Sequence, residues 1–142
     1  AVIVGAFDVD EIVGCATALP LVEEHEEFIA PVRAHGLDPH KTFYLAESVL
    51  RRSWRGFGTG NRFFELREQH ARSLGGFERA LFCGVIRPEN HPARPFDHRP
   101  LDGLWRKHGY APVDGLQANF SWRDVGDSGK TTKAMQFWMK NL

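Results

Sequence analysis

The sequence predicts a mixed α/β (α+β) domain: a mostly antiparallel sheet with a parallel strand–helix–strand core and flanking helices. Three observations carry this. Two apolar runs, Ala1 to Phe7 and Ile12 to Leu21, are joined by the polar turn Asp8-Val9-Asp10-Glu11, as in an antiparallel hairpin. In the middle, an apolar run from Thr42 to Leu50, a helical pattern from Phe63 to Leu74 and a nearly all-apolar run from Arg79 to Ile86 follow one another. That is the pattern of a parallel unit whose second strand is covered on both faces. Near the end, Leu116 to Trp122 and Ala134 to Met139 alternate as two closing strands, with Asp124 to Thr132 as their long hairpin loop.

The remaining segments fill in around these. Gly5 and Gly14 lie inside the first two strands and point to bulges or close packing. Glu23 to Ala34 has helical spacing, with Phe28, Ile29 and Val32 on one face and Pro31 as a break or kink. Its acidic residues read as a solvated face. In the central helix, Phe63, Leu66, His70 and Leu74 form the apolar stripe, widened by Phe64 and Ala71, and Gly75-Gly76 ends it. Arg87 to Pro100 is a long proline-rich loop of the kind that often binds ligands, and Leu101 to His108 is a short helix stopped by Gly109.

A chain of 142 residues with 42% hydrophobic content predicts one domain, residues 1–142, with a substantial core. Its 18 basic and 18 acidic residues balance, so no net field favours nucleic acid or an anionic membrane. No apolar run is long enough to span a bilayer. Cys15 and Cys83 sit in strand-like runs and read as small buried hydrophobes in a reducing, cytoplasmic compartment. His25, His35 and His40 lack metal-ligand spacing, and no metal is expected. The chain opens at Ala1 directly in an apolar run, which suggests a start inside a fold.

The stretch that carries chemistry lies between the strand ending at Leu50 and the helix. Arg55-Gly56-Phe57-Gly58-Thr59-Gly60-Asn61-Arg62 alternates three glycines between two arginines. Without Cβ atoms the backbone can turn sharply and approach a ligand closely. The first amides of the following helix point outward at the positive end of its dipole. Phosphate is the usual guest of such a site. A dinucleotide fingerprint fails, because Phe63 stands where its third glycine belongs. A P-loop fails for want of the closing Lys-Ser/Thr pair. Gly129-Lys130-Thr131 imitates the end of a P-loop, but Asp124 occupies the required first glycine.

What the stretch does match is Arg-x-x-Gly-x-Gly, as Arg55, Gly58 and Gly60. This resembles the acyl-CoA pyrophosphate loop of the GNAT N-acetyltransferase superfamily. The segment Leu104-Trp105-Arg106-Lys107-His108-Gly109-Tyr110 resembles that family's fourth helix and its exit, and Asp10-Glu11-Ile12-Val13-Gly14 its turn into the third strand. The resemblance covers nearly the whole chain but begins at the family's second strand; its first strand and first two helices have no counterpart.

The resemblance implies an acetyl-CoA-dependent N-acetyltransferase that moves an acetyl group directly to an amine, with coenzyme A as co-substrate. Amides of Val49 or Leu50 would polarise the thioester carbonyl. Arg55 with the backbone of Gly56, Phe57, Gly58, Thr59, Gly60, Asn61 and Arg62 would hold the pyrophosphate. Glu47 is the candidate base, against the alternative that it pairs with Arg51, Arg52 or another strand neighbour. Trp105 stands where many members have a tyrosine acid, and is expected to pack against the pantetheine arm or the helix base. The leaving thiolate would then take its proton from solvent or a hydroxyl such as that of Tyr110. The expected partner is a small-molecule or peptide amine; nucleic acid and membrane are not expected, and a homodimer stays open. A non-catalytic acyl-CoA-binding or regulatory module of the same fold is the alternative function.

Overall fold

The structure is a computed structural model, described here for residues 1–86, 101–122, 129 and 131–142. Its centre is a six-stranded sheet in the order β1-β2-β3-β4-β6-β5. β1 (Val2–Asp8) and β2 (Glu11–Pro20) form the expected hairpin. β3 (Thr42–Leu50) adds to β2 antiparallel, and β4 (Arg79–Val85) lies parallel to β3. β6 (Thr131–Asn141) pairs antiparallel with β4, and β5 (Ala111–Trp122) closes the far edge. The mixed, mostly antiparallel sheet with one parallel pair is the predicted fold class.

Helices cover both faces. α1 (Glu26–Ala34) follows a short 3₁₀ turn at Leu21–Glu23, so the helical pattern read from Glu23 divides in two. Pro31 sits inside α1 without ending it. Ile29 and Val32 of α1 pack with Leu21, Tyr44, Leu81, Leu116 and Phe137 on one side of the sheet. α2 (Thr59–Leu74) and α3 (Asp102–Lys107) cover the other side, where Phe64 and Ala71 meet Ala18, Phe43, Leu45, Ala80, Phe82, Tyr110 and Trp138. Burying these side chains is the main favourable term, at roughly 25 cal/mol per Å² of apolar surface.

Two departures from regularity shape the middle of the sheet. On β3, Thr17 faces Glu47 while Ala18 faces Leu45, so Ala46 is an unpaired extra residue, a bulge. And β3 and β4 pair only through Thr42↔Arg79, Phe43↔Ala80 and Tyr44↔Leu81. Beyond these rows β3 runs on to Leu50, held by β2, and β4 to Val85, held by β6. The two central strands therefore diverge, leaving an opening between their carboxyl halves.

Several boundaries differ from the sequence reading. α2 starts at Thr59, a full turn before the apolar stripe at Phe63, because its first turn has nothing to bury. β5 starts at Ala111 and not at the expected Leu116, and its register is irregular between Pro112 and Gln117. The proline-rich loop 87–100 and most of the hairpin loop 124–132 lie outside the described residues. No helix among the described residues is long and apolar enough to cross a membrane.

Candidate functional site

The glycine stretch sits at the carboxyl end of β3, beside the opening. A single 3₁₀ turn, Arg52–Trp54, leads from the strand into it. Gly56 and Gly58 have φ of 89° and 84°, the left-handed region that a Cβ disfavours. Among the described residues, a Cβ on either would meet no atom within 4 Å. Gly58 is the N-cap of α2 and supplies no side-chain cap. The first intrahelical bond is from Arg62 N to Gly58 O at 3.2 Å, which leaves the amides of Thr59, Gly60 and Asn61 without helical acceptors. Those three donors, with the helix dipole behind them, are the geometry of an anion site.

The side chains around the loop are mostly engaged elsewhere. Arg55 Nε donates to Leu50 O at 3.2 Å, which ties the loop to the last carbonyl of β3. Arg62 pairs with Glu65 at 2.8 Å. Asn61 Oδ1 lies 2.7 Å from His108 Nε2, and the His108 ring stacks on Phe64 at 4.9 Å. Burial lowers the His108 pKa, which favours the neutral ring. Phe57 is 77% exposed and leans toward Trp54. Gly60, inside the helix, is backed by Leu104 of α3.

At the other end of the site, the backbone of β3 sorts its own donors. Arg51 N bonds to Val13 O on β2 at 2.8 Å. Donors alternate along a strand, so the amides of Glu47 and Val49 point toward β2, and those of Ser48 and Leu50 point into the opening. The Val49 side chain is 55% exposed. Glu47 is exposed too, and its carboxylate makes no ion pair among the described residues; Arg51 pairs with Glu11 instead. Across the opening, burial pushes the Cys83 thiol on β4 up to about 12, and raises the phenol of Tyr44 on β3.

Two residues of the fourth-helix segment are placed by packing. The Trp105 ring stands edge-on to Phe82 and Trp138, with centroids at 5.0 and 4.9 Å. A Cβ on Gly84 would come within 2.8 Å of it, so β4 is cut back to admit the indole. Tyr110 is buried and its hydroxyl donates to Glu68 Oε2 at 2.9 Å. It is no proton donor to the opening.

The sequence reading missed Arg67 and Glu68, which are 2% and 4% exposed. Lys140 Nζ lies 2.7 Å from Glu68 Oε1. Arg67 reaches across the sheet: Nε donates to Phe63 O at 3.1 Å, and Nη1 to Thr17 O and Glu47 O at 3.3 Å each. The signal was present in the spacing. Both follow Phe63 and Phe64 by four positions and so share their buried face, but charged residues are ordinarily scored as surface.

The mixed sheet with one parallel pair, opened beside a glycine-led helix, is the fold of acetyltransferases that resemble this chain. The family model for the acetyltransferase (GNAT) family matches residues 1–101, and the chain belongs to that family. The acetyltransferase of the GNAT family from Streptococcus pneumoniae aligns at 15% identity with a TM-score of 0.60, covering 99% of this chain and 66% of its own. A Bacillus subtilis acetyltransferase in complex with CoA aligns at 13% identity and 0.60, covering 99% and 76%. A GNAT family acetyltransferase from Elizabethkingia anophelis with acetyl-CoA bound aligns at 12% and 0.63, covering 99% and 75%. The chain thus spans about two thirds to three quarters of the length of these structures. No curated protein sequence matches it.

Proposed function

We propose that this chain binds acetyl-CoA and acts as an acetyl-CoA-dependent N-acetyltransferase. The observation that carries this is the set of outward amides at Thr59, Gly60 and Asn61, beside Gly56 and Gly58, where an added Cβ would meet no atom of the described residues within 4 Å. The pyrophosphate of CoA would sit there, as a charge-assisted acceptor of several N–H donors. Gly56, Phe57 and Arg62 contribute backbone to the same loop, and Arg55 a guanidinium on the open side of β3. The Bacillus and Elizabethkingia structures, crystallised with CoA and acetyl-CoA, support the choice of ligand.

The pantetheine arm would enter between the diverging strands. The thioester carbonyl would accept from Leu50, with Ser48 as the second amide of the same orientation; Val49 would present its side chain. Fixed N–H donors at a developing oxyanion are worth several kcal/mol in rate. Glu47, exposed and free of an ion pair among the described residues, would take the proton of the attacking amine. Direct attack is favoured over an acyl-cysteine route because the Cys83 thiol is held protonated. The leaving thiolate would be protonated by solvent, since Trp105 does not ionise and Tyr110 is committed to Glu68. Holding acetyl-CoA and amine together then supplies much of the acceleration. The acceptor would be a small-molecule or peptide amine, and the free thiols Cys15 and Cys83 fit a reducing, cytoplasmic setting.

The packed Trp105 and buried Tyr110 favour a second reading, a module of this fold that binds acyl-CoA without turnover. Thiol release from acetyl-CoA with a panel of amines separates the two. Amine-dependent release, lost in Glu47→Gln, supports the transferase. Binding of acetyl-CoA with no release for any amine supports the module.

A further inference from the structure

The bulge at Ala46 determines which β3 amides face the opening. Without the extra residue, every position from Glu47 to Leu50 would exchange sides, because the period of a strand is two. A bulge disrupts the ladder locally, and a carbonyl beside it has a second lone pair that can accept a further donor. Here Thr17 O and Glu47 O, one from each strand at the register shift, converge on Nη1 of Arg67 at 3.3 Å. The same guanidinium is anchored to its own helix through Phe63 O and lies 5.2 Å from the Phe64 ring centroid. No acidic side chain is within ion-pair distance of it among the described residues; its charge is met by carbonyl dipoles. Burial draws its pKa down to about 10, so it stays cationic at neutral pH.

The helix that carries Arg67 also carries the open amides at its start. Arg67 lies eight positions after Thr59 along the helix, roughly 12 Å at 1.5 Å per residue. One rigid element therefore touches both the phosphate loop and the bulge.

We infer that Arg67 is a positioning residue: by clamping Thr17 O and Glu47 O at the Ala46 bulge, it fixes the Ser48 and Leu50 amides on the thioester of bound acetyl-CoA, in register with the loop that holds the pyrophosphate. The inference rests on the acetyl-CoA reading above. The polarisation it describes can be observed without knowing the acceptor, as a lowered infrared stretching frequency of the thioester carbonyl.

The test uses acetyl-CoA isotopically labelled at that carbonyl, with wild type, Arg67→Met and Arg67→Lys. Wild type is expected to lower the frequency relative to free acetyl-CoA. Arg67→Met is expected to lose at least about half of that displacement while binding CoA within about threefold of wild type, roughly 0.6 kcal/mol. Arg67→Lys, with a single ammonium in place of a fork, is expected to fall between them, and it decides the matter if the Met variant does not fold. A folded Lys or Met variant with the full wild-type displacement overturns the inference. A Met variant that loses CoA affinity in step with the displacement also overturns it, since the role would then be merely structural. Wild type that binds acetyl-CoA with an unshifted carbonyl overturns the inference and leaves the binding reading standing. Wild type that binds neither CoA nor acetyl-CoA defeats both.

Discussion

α2 is two different helices along one axis. Its first turn holds three amide donors with no acceptor among the described residues, a left-handed glycine as cap and little apolar cover beyond Leu104. Two turns later Arg67 and Glu68 are buried, and their polar atoms bond to Phe63 O, Thr17 O, Glu47 O, Tyr110 and Lys140. Open donors at a helix start cost little stability because water can serve them, and they remain available to a ligand. Buried charges have no such recourse and must be met internally. The first turn thus leaves donors available to a ligand and the middle holds the sheet, and substitutions in the two should separate affinity from stability.

The largest effect is expected at Glu68. Removing it by Glu68→Ala leaves Lys140 and the Tyr110 hydroxyl without their shared acceptor, and breaking a buried pair by one partner costs about 3–5 kcal/mol. Lys140 can still reach water, so the lower end, about 3 kcal/mol, is expected in chemical denaturation. The folded protein should still bind CoA within about threefold of wild type, roughly 0.6 kcal/mol. A matched loss of CoA affinity would mean that the two regions are not separable.

Gly58→Asp attacks the other end. It places a carboxylate where phosphate would sit and a Cβ on a left-handed residue. CoA affinity should fall at least about tenfold, roughly 1.4 kcal/mol, in calorimetric titration. An unchanged affinity in the folded variant would remove the loop assignment.

Glu47→Gln keeps the size and removes the base. Turnover at neutral pH should drop by at least about tenfold, roughly 1.4 kcal/mol in barrier, while acetyl-CoA binding stays the same. A rate within about twofold, under roughly 0.4 kcal/mol, would point to a water relay instead.

The smallest effect joins the two regions. Because burial lowers the folded pKa of His108, the unfolded chain binds more protons as pH falls below about 6.5. Its contribution is full above that pH and is lost as pH falls through the folded value. His108→Gln cannot titrate, so the melting-temperature gap between wild type and variant should shift against wild type from pH ~7 to pH ~5. A gap constant over that range would show that the ring's protonation is not coupled to folding.

The two regions also differ in how legible they were. The loop could be read because glycine spacing has a local backbone cause, and Gly56 and Gly58 do hold positive φ. The hairpin, the parallel pair and the central helix follow from apolar periodicity. The spacing put Arg67 and Glu68 on the buried face, but what meets their charge could not be read, because their partners are backbone carbonyls and side chains as much as 72 positions away in sequence. The bulge at Ala46 and the divergence of β3 from β4 were equally hidden. Both are pairing events between strands, and neither leaves a mark in the apolar run Thr42 to Leu50. That is why the amides facing the opening resolve to Ser48 and Leu50 only once the Arg51–Val13 bond is seen.

The most direct test of the central claim, that the open first turn of α2 holds a pyrophosphate, is a calorimetric titration of wild type with CoA and with pantetheine, which lacks the phosphates. CoA should bind at least about tenfold more tightly, roughly 1.4 kcal/mol, with the difference shrinking as salt is raised. Equal affinities for the two ligands would contradict the account.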